Sequence, residues 1–164
     1  MNKTMPHPLL VDYLNTLIKK LDIPGYASRV ALNFRISEYY RSRTGFPPVE
    51  VQLERGPSHS SHSTWRIVFV TSFSYPTENA SEVDVELYFN FLRGWFYQPD
   101  AERCNLHQPK VTALYQSYEV AFLRQLALNS FDIIQATITA IDHAKAATEL
   151  PYKKEKNNYG QTYH

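Results

Sequence analysis

Hydrophobic and polar residues alternate along four separate stretches of the chain, and this period of two is typical of β-strands. The stretches cover residues 29–39, 49–55, 65–75 and 83–91, in which apolar side chains recur at every second position. Polar connections that contain Gly, Pro and Ser join the stretches, which is the composition of turns. Consecutive strands joined by such connections predict an antiparallel meander with one face on the core.

The same alternation assigns side chains to the two faces of the predicted sheet. Asp84 and Glu86 are expected on the outward face of the fourth strand, where a solvated surface is favoured over paired catalytic carboxylates. We expect the aromatic residues after this strand to extend it as far as Gln98. On the third strand, the alternation predicts one shared face for Trp65, Ile67, Phe69, Thr71, Phe73 and Tyr75.

Two longer segments have the period of an amphipathic helix, with apolar residues at steps of three and four. The first covers residues 7–21, and the second runs from Lys110 to near Asn129, a residue type that tolerates the left-handed conformation after a helix. Residues 131–139 match both a strand and a helical stripe, and their β-branched side chains favour the strand. A short helix over residues 142–148 is expected to follow.

These elements predict one α+β domain over residues 1–150. In this domain, an N-terminal helix and one or two C-terminal helices pack on an antiparallel sheet of about five strands. The 164 residues of the chain are enough for a single core. Residues 151–164 carry no apolar period, and we expect them to form a disordered or loosely attached tail.

Charge and cysteine content limit the environment in which the protein works. Seventeen basic and sixteen acidic residues leave a formal charge of +1, so no global field attracts nucleic acid or an anionic membrane. Cys104 is the only cysteine, so no internal disulfide forms, and no apolar run is long enough to cross a bilayer. The first residues do not resemble a signal peptide, and we expect a cytoplasmic protein.

Residue patterns typical of catalysis or metal binding are weak throughout the chain. No phosphate-binding glycine motif, serine-nucleophile elbow or HExxH sequence occurs. His59 and His62 lie in a Ser-rich connection without further metal ligands, which favours a polar hairpin loop over a zinc site. Cys104 and His107 would act as nucleophile and base only if their side chains approached each other. The sequence therefore predicts no enzyme, no cofactor and no metal.

One local patch combines aromatic and basic side chains, the combination that stacks bases and neutralises phosphates in nucleic-acid binding. It comprises Tyr39, Tyr40, Arg41 and Arg43, at the predicted end of the first strand. The small net charge and the acidic face of the fourth strand count against nucleic acid. A turn at the end of a strand is therefore the alternative interpretation of this patch.

Four stretches together resemble a family of short bacterial proteins that is known only as a domain of unknown function. They are GFPPVEV (45–51), WRIVFVTSFSY (65–75), YFNFLRGWFYQ (88–98) and LYQSYEVAFLRQLALNSFDIIQATI (114–138). Members of the family occur in marine gammaproteobacteria, often on mobile or pathogenicity islands. The resemblance implies an antiparallel sheet with terminal helices, similar to the mitochondrial acidic-matrix glycoproteins that bind complement. It supports the strand at residues 131–139 and assigns no functional residue.

The expected function is that of a non-enzymatic interaction protein, which binds another protein or itself through a sheet edge or an exposed aromatic surface. The near-neutral chain differs in charge from the strongly acidic glycoproteins, so the resemblance does not imply a shared partner. A nucleic-acid-binding module that uses Tyr39, Tyr40, Arg41 and Arg43 is the alternative function.

Overall fold

The computed structural model describes residues 3–56 and 64–149. The connection with His59 and His62 and the predicted tail at 151–164 lie outside these residues. The helices are α1 (Pro8–Lys19), α2 (Ser37–Ser42), α3 (Pro109–Ala127) and α4 (His143–Glu149). The strands are β1 (Ala27–Arg35), β2 (Val49–Glu54), β3 (Arg66–Ser74), β4 (Asp84–Asn90), β5 (Trp95–Tyr97), β6 (Cys104–Asn105) and β7 (Ile133–Ile141).

All of these strands belong to one antiparallel sheet in the order β6-β5-β4-β3-β2-β1-β7. The strands from β1 to β6 form the predicted meander, in which each strand pairs with the next along the chain. The chain then passes through α3 and adds β7 beside β1, so β6 and β7 are the two edges. The α+β class and the antiparallel sheet are confirmed, but the sheet has seven strands instead of about five.

Helices α1 and α3 pack on one face of this sheet and confirm the two predicted helical periods. Helix α1 begins at Pro8, a position where the missing N–H of proline is tolerated. Its buried stripe and that of α3 share one hydrophobic cluster with the sheet. At the centre of this cluster, the ring of Phe122 meets Phe34 of β1 edge-on, with 5.3 Å between the ring centroids.

The predicted first strand is too long at its C-terminal end. Strand β1 ends at Arg35, and the following residues form α2 instead of continuing the strand. The side chain of Asp132 accepts a hydrogen bond of 2.8 Å from the backbone N–H of Ser37, 95 residues earlier in the chain. This bond satisfies an N–H of the first helical turn. Because the partner is distant in sequence, no local pattern predicts the helix.

The fourth strand does not extend to Gln98, as the sequence suggested. The chain turns after Asn90, whose carbonyl accepts the N–H of Gly94 at 2.9 Å. Gly94 has a φ of +73°, a conformation that glycine adopts without steric cost. The aromatic residues then return antiparallel to β4 as β5, which pairs in turn with β6.

An irregularity in β3 reverses the predicted faces of its second half. Leu53 pairs with Ile67, whereas its neighbour Gln52 pairs with Phe69, so Val68 is an extra residue on β3. Ile67 lies in the core, while Phe69 shares the opposite face with Gln52. A single face for the residues from 65 to 75 is therefore wrong, because a β-bulge shifts the alternation by one position.

The ambiguous segment after α3 is a strand, as its β-branched residues favoured. Helix α3 ends at Ala127, and Asn129 has the expected left-handed conformation with a φ of +52°. The segment then forms β7, antiparallel to β1, and leads into the short helix α4. This placement makes the last strand of the chain an edge of the sheet.

Candidate interaction surfaces

The face of the sheet opposite α1 and α3 carries a row of stacked aromatic side chains. Phe69 and Tyr88 lie on adjacent strands with 4.9 Å between their ring centroids, and Tyr88 and Trp95 follow at 4.8 Å. The guanidinium of Arg103 lies 5.0 Å from the centroid of the Trp95 ring. We call these four side chains the aromatic row. All three rings are half-buried.

Most of the ring faces in the aromatic row contact other members of the row. Interplanar angles of 34° and 24° show that successive rings lie against one another. Little face area is left to stack on a nucleobase, which is what single-strand binding needs. Burial raises the pKa of the Tyr88 hydroxyl above its ordinary value, and this hydroxyl accepts a hydrogen bond from Asn90 at 3.2 Å. The row therefore stabilises the pairing of β3, β4 and β5.

In the predicted Tyr/Arg patch, Tyr39 is buried and the other three residues are exposed, and Arg43 holds the connection between β3 and β4. Tyr39 is buried, and its ring stacks on that of Tyr75 with 5.9 Å between centroids. The guanidinium of Arg43 lies 3.9 Å from the centroid of the Tyr75 ring. It also donates hydrogen bonds to the backbone carbonyls of Thr77 and Ala80.

Tyr40, Arg41 and Arg43 are the three accessible members of the patch. The side chain of Tyr40 is 39% exposed. Arg41 is exposed and forms an ion pair with Glu38, which precedes it on α2. The patch thus offers one partly exposed ring and two guanidiniums that already have partners, Glu38 for Arg41 and two backbone carbonyls for Arg43. Binding of a nucleic-acid strand requires several ring faces and several free cations.

A cleft of about 670 Å³ beside the patch is acidic. Its lining includes the side chains of Asp84, Glu86 and Asp100. Burial raises the pKa of Tyr39, and the charge of Glu86 raises it further. The negative field of the cleft therefore reaches the patch and opposes the approach of phosphate groups.

Strand β7 presents a long edge that the described part of the chain leaves unpaired. It pairs with β1 on one side, and no described strand pairs with its other side. Its nine residues, IIQATITAI, include neither a charged residue nor a proline. Proteins usually protect an edge with such residues. The side chains of Ile138 and Ile141 are 37% and 39% exposed, so apolar surface accompanies the backbone of this edge.

Cys104 and His107 are not arranged as a nucleophile and its base. The Nδ1 atom of His107 accepts a hydrogen bond of 2.9 Å from the backbone N–H of Thr4. Cys104 is half-buried against the core, and the described residues show no hydrogen bond between the two side chains. This end of the sheet is a structural junction, because the hydroxyl of Thr4 also donates to the carbonyl of Leu106 at 3.2 Å.

Glu119 is a buried carboxylate that the sequence did not distinguish from other helix-forming residues. It is 6% exposed and accepts hydrogen bonds from the backbone N–H of His7 and from the hydroxyl of Tyr115. Burial, together with the charge of Glu119, raises the pKa of Tyr115 well above its ordinary value. Glu119 therefore connects the start of α1 to α3 and has a structural role.

The described residues contain neither a metal site nor a membrane span. Within residues 3–56 and 64–149, no group of three or more His, Cys, Asp or Glu side chains is placed to hold a metal ion. Over the same residues, no helix has the length and apolar character needed to cross a membrane. The histidine pair of the sequence analysis, His59 and His62, lies outside the described residues.

Two solved structures from Vibrio cholerae share this fold. One is a hypothetical protein of the VSP-II pathogenicity island, 22% identical with a TM-score of 0.68, and the match covers 84% of this chain and 96% of that one. The other, a conserved hypothetical protein of pathogenicity island VPI-2, shares structural homology with the human p32 protein. It is 29% identical with a TM-score of 0.65, over 84% of this chain and 98% of that one.

Family membership rests on the sequence itself. No curated protein matches the chain. Residues 7–137 match the family of proteins of unknown function DUF2787. This segment includes every strand from β1 to β6 and both helices of the core. The chain therefore belongs to the DUF2787 family of proteins of unknown function.

Proposed function

We propose that this protein is a non-enzymatic interaction protein, which binds a strand of another protein chain along the free edge of β7. The observation that carries the proposal is the length and chemistry of this edge, nine residues without charge or proline. An extended segment that pairs with such an edge gains backbone hydrogen bonds along its whole length. Exposed apolar side chains beside the backbone add contact area.

One comparison supports a binding role. A solved structure that matches this chain shares structural homology with human p32, and the family resemblance given above implies a likeness to glycoproteins that bind complement. A cytoplasmic location, which is part of this proposal, agrees with a single cysteine that forms no internal disulfide.

The substitution Thr137→Lys tests whether binding uses the edge. Thr137 is exposed in the middle of β7, so a lysine there places a charge on the edge without entering the core. Val120→Lys is the matched control, because Val120 is 61% exposed on α3, away from the sheet edge. Each variant gains one positive charge, so a difference in binding between the two variants reports on the position of that charge alone.

The tagged wild-type chain and both variants would be used to capture proteins from an extract of the source cells, with and without nuclease. We expect that at least one protein co-purifies with the wild type and with Val120→Lys but does not co-purify with Thr137→Lys. If Thr137→Lys captures the same proteins as the wild type, binding at β7 is refuted. Loss of all captured material after nuclease treatment would favour nucleic-acid binding, and Tyr40 and Arg41 would then be tested first.

A further inference from the structure

We propose that the strand bound at β7 is β7 of a second copy of the protein, which gives a twofold dimer with one continuous antiparallel sheet. This inference rests on the proposed function, because it names the partner of the same edge.

Symmetry restricts how two identical edge strands pair. Antiparallel pairing of the two copies of β7 requires a twofold axis perpendicular to the sheet, so both helix layers lie on the same side. Residues that face each other across the axis must then point to the same face of the sheet. This condition is met when one residue lies on the axis and faces its own copy.

Residues 133–138 provide the regular part of this edge. They pair with β1 without a register shift, and the irregularities of the β1–β7 ladder lie beyond Ile138. A second strand that pairs around the middle of this stretch therefore forms its backbone hydrogen bonds with the regular part of β7. We assign the axis to Ala136, whose small side chain faces its copy without a steric clash.

This register matches the side chains on each face of the sheet. With Ala136 on the axis, Gln135 faces Thr137 of the other copy, which pairs an amide with a hydroxyl. On the helix side, Ile134 faces Ile138, and the exposed surface of Ile138 gains an apolar neighbour. A charged residue near the axis would lie close to its own copy, and β7 contains none.

The rest of the described structure permits this pairing and limits it to two copies. The opposite edge, β6, has two residues, too few for a comparable contact. Helix α4 follows β7 directly, and its Lys145 lines a cleft with Ser28 and Gly56 at the ends of β1 and β2. This position places the start of α4 away from the outer side of β7. The pairing therefore closes as a dimer, because it uses the one long edge of each copy.

Sedimentation equilibrium of the full chain over a range of concentrations tests the proposal. We expect a dimer mass for the wild type and for Val120→Lys. Thr137→Lys and Thr137→Asp should each weaken dimerisation by at least about tenfold, since each places two like charges near the axis. An equimolar mixture of the two variants should restore the dimer, because lysine and aspartate then meet across the axis. Restoration also shows that both variants fold.

Cross-linking tests the register. In a Cys104→Ser background, Ala136→Cys places two thiols on the axis, where facing Cα atoms lie within the range of a disulfide. Mild oxidation should yield a covalent dimer. Gln116→Cys, at an exposed position on α3, should remain monomeric under the same conditions.

The outcomes separate this proposal from the proposed function. A wild-type chain that is monomeric at all concentrations, or a dimer that Thr137→Lys leaves intact, overturns self-pairing. If the wild type is monomeric and Thr137→Lys still loses a captured protein, the edge binds a different chain and the proposed function stands. If Thr137→Lys changes neither mass nor capture, both proposals fail.

Discussion

The two edge strands of the sheet, β6 and β7, have different surroundings. Beside β6, the N-terminal residues form polar contacts with the rest of the chain, from Thr4 to His107 and from His7 to the buried carboxylate of Glu119. Beside β7, the described residues add no element on the outer side of a nine-residue strand. One edge is thus short and tied to the N-terminal residues, and the other is long and left unpaired by residues 3–56 and 64–149.

This difference teaches that the open edge is not a general weakness of the fold. The same sheet has a two-residue strand at its other edge, so a long uncharged edge strand is a specific feature of the β7 side, for which the proposed binding would account. It also implies that the two ends depend on different interactions. Polar contacts secure the β6 end, whereas apolar anchoring and the pairing with β1 hold β7.

The largest expected effect comes from removing the apolar anchor of β7. Phe131 is 7% exposed, and its ring meets Phe34 and Phe122 edge-on with 5.5 and 5.8 Å between centroids. Phe131→Ala leaves a cavity among these rings, and we expect the free energy of unfolding to fall by about 3–5 kcal/mol. Urea denaturation measures this loss, and hydrogen exchange should show faster exchange in β7.

Phe131→Leu is the control for this prediction, because leucine keeps most of the apolar volume. We expect a smaller loss, about 1–2 kcal/mol, with β7 still protected from exchange. If Phe131→Ala lowers the free energy of unfolding by less than about 1 kcal/mol, the start of β7 is not anchored by this ring.

Most of the sheet followed from the sequence, because strands with one face on the core have a strict period of two. Strands β5 and β6 were missed, since three and two residues are too few to show an alternation. The bulge at Val68 has no sequence signal of its own, and the aromatic row depends on it. Local patterns therefore gave the elements but not the irregularities that decide which face a side chain takes.

The candidate site was less predictable, because it depends on spatial order. The sequence indicated binding through a sheet edge, but the edge is known only once β7 is placed beside β1. In the Tyr/Arg patch, Tyr39 contacts Tyr40 and stacks on Tyr75, and the guanidinium of Arg43 lies over the same Tyr75 ring. Tyr75 is distant in sequence, so the local pattern did not indicate that Tyr39 is buried or that Arg43 binds the connection after β3.

A smaller effect is expected at the β6 end, from the substitution Glu119→Ala. It removes the acceptor for the N–H of His7 and the hydroxyl of Tyr115, and leaves two donors without a partner in a buried site. We expect the free energy of unfolding to fall by about 2–3 kcal/mol. Both donors bind the same oxygen, Oε2, so the amide oxygen of Glu119→Gln at that position still accepts both hydrogen bonds, and this variant should lose less than half as much. Equal losses in the two variants, measured by urea denaturation, would show that packing and not hydrogen bonding stabilises this end.

The smallest effect concerns Asp132, which links the start of β7 to α2. Hydrogen bonds from the hydroxyl and the backbone N–H of Ser37 hold the pKa of this carboxyl below its ordinary value. Since the pKa is lower in the folded state than the unfolded value of about 3.9, the contribution of Asp132 to stability is complete above that value. It is lost as the pH falls through the folded pKa.

The stability of Asp132→Asn should therefore be lower than that of the wild type at pH 7, and the difference should disappear in strong acid. Asp12→Asn, at an exposed position of α1, controls for the change in net charge. Urea denaturation across this pH range measures the difference for both variants. A difference that persists unchanged in strong acid would mean that the contribution of the hydrogen bonds to Ser37 does not depend on the charge of Asp132.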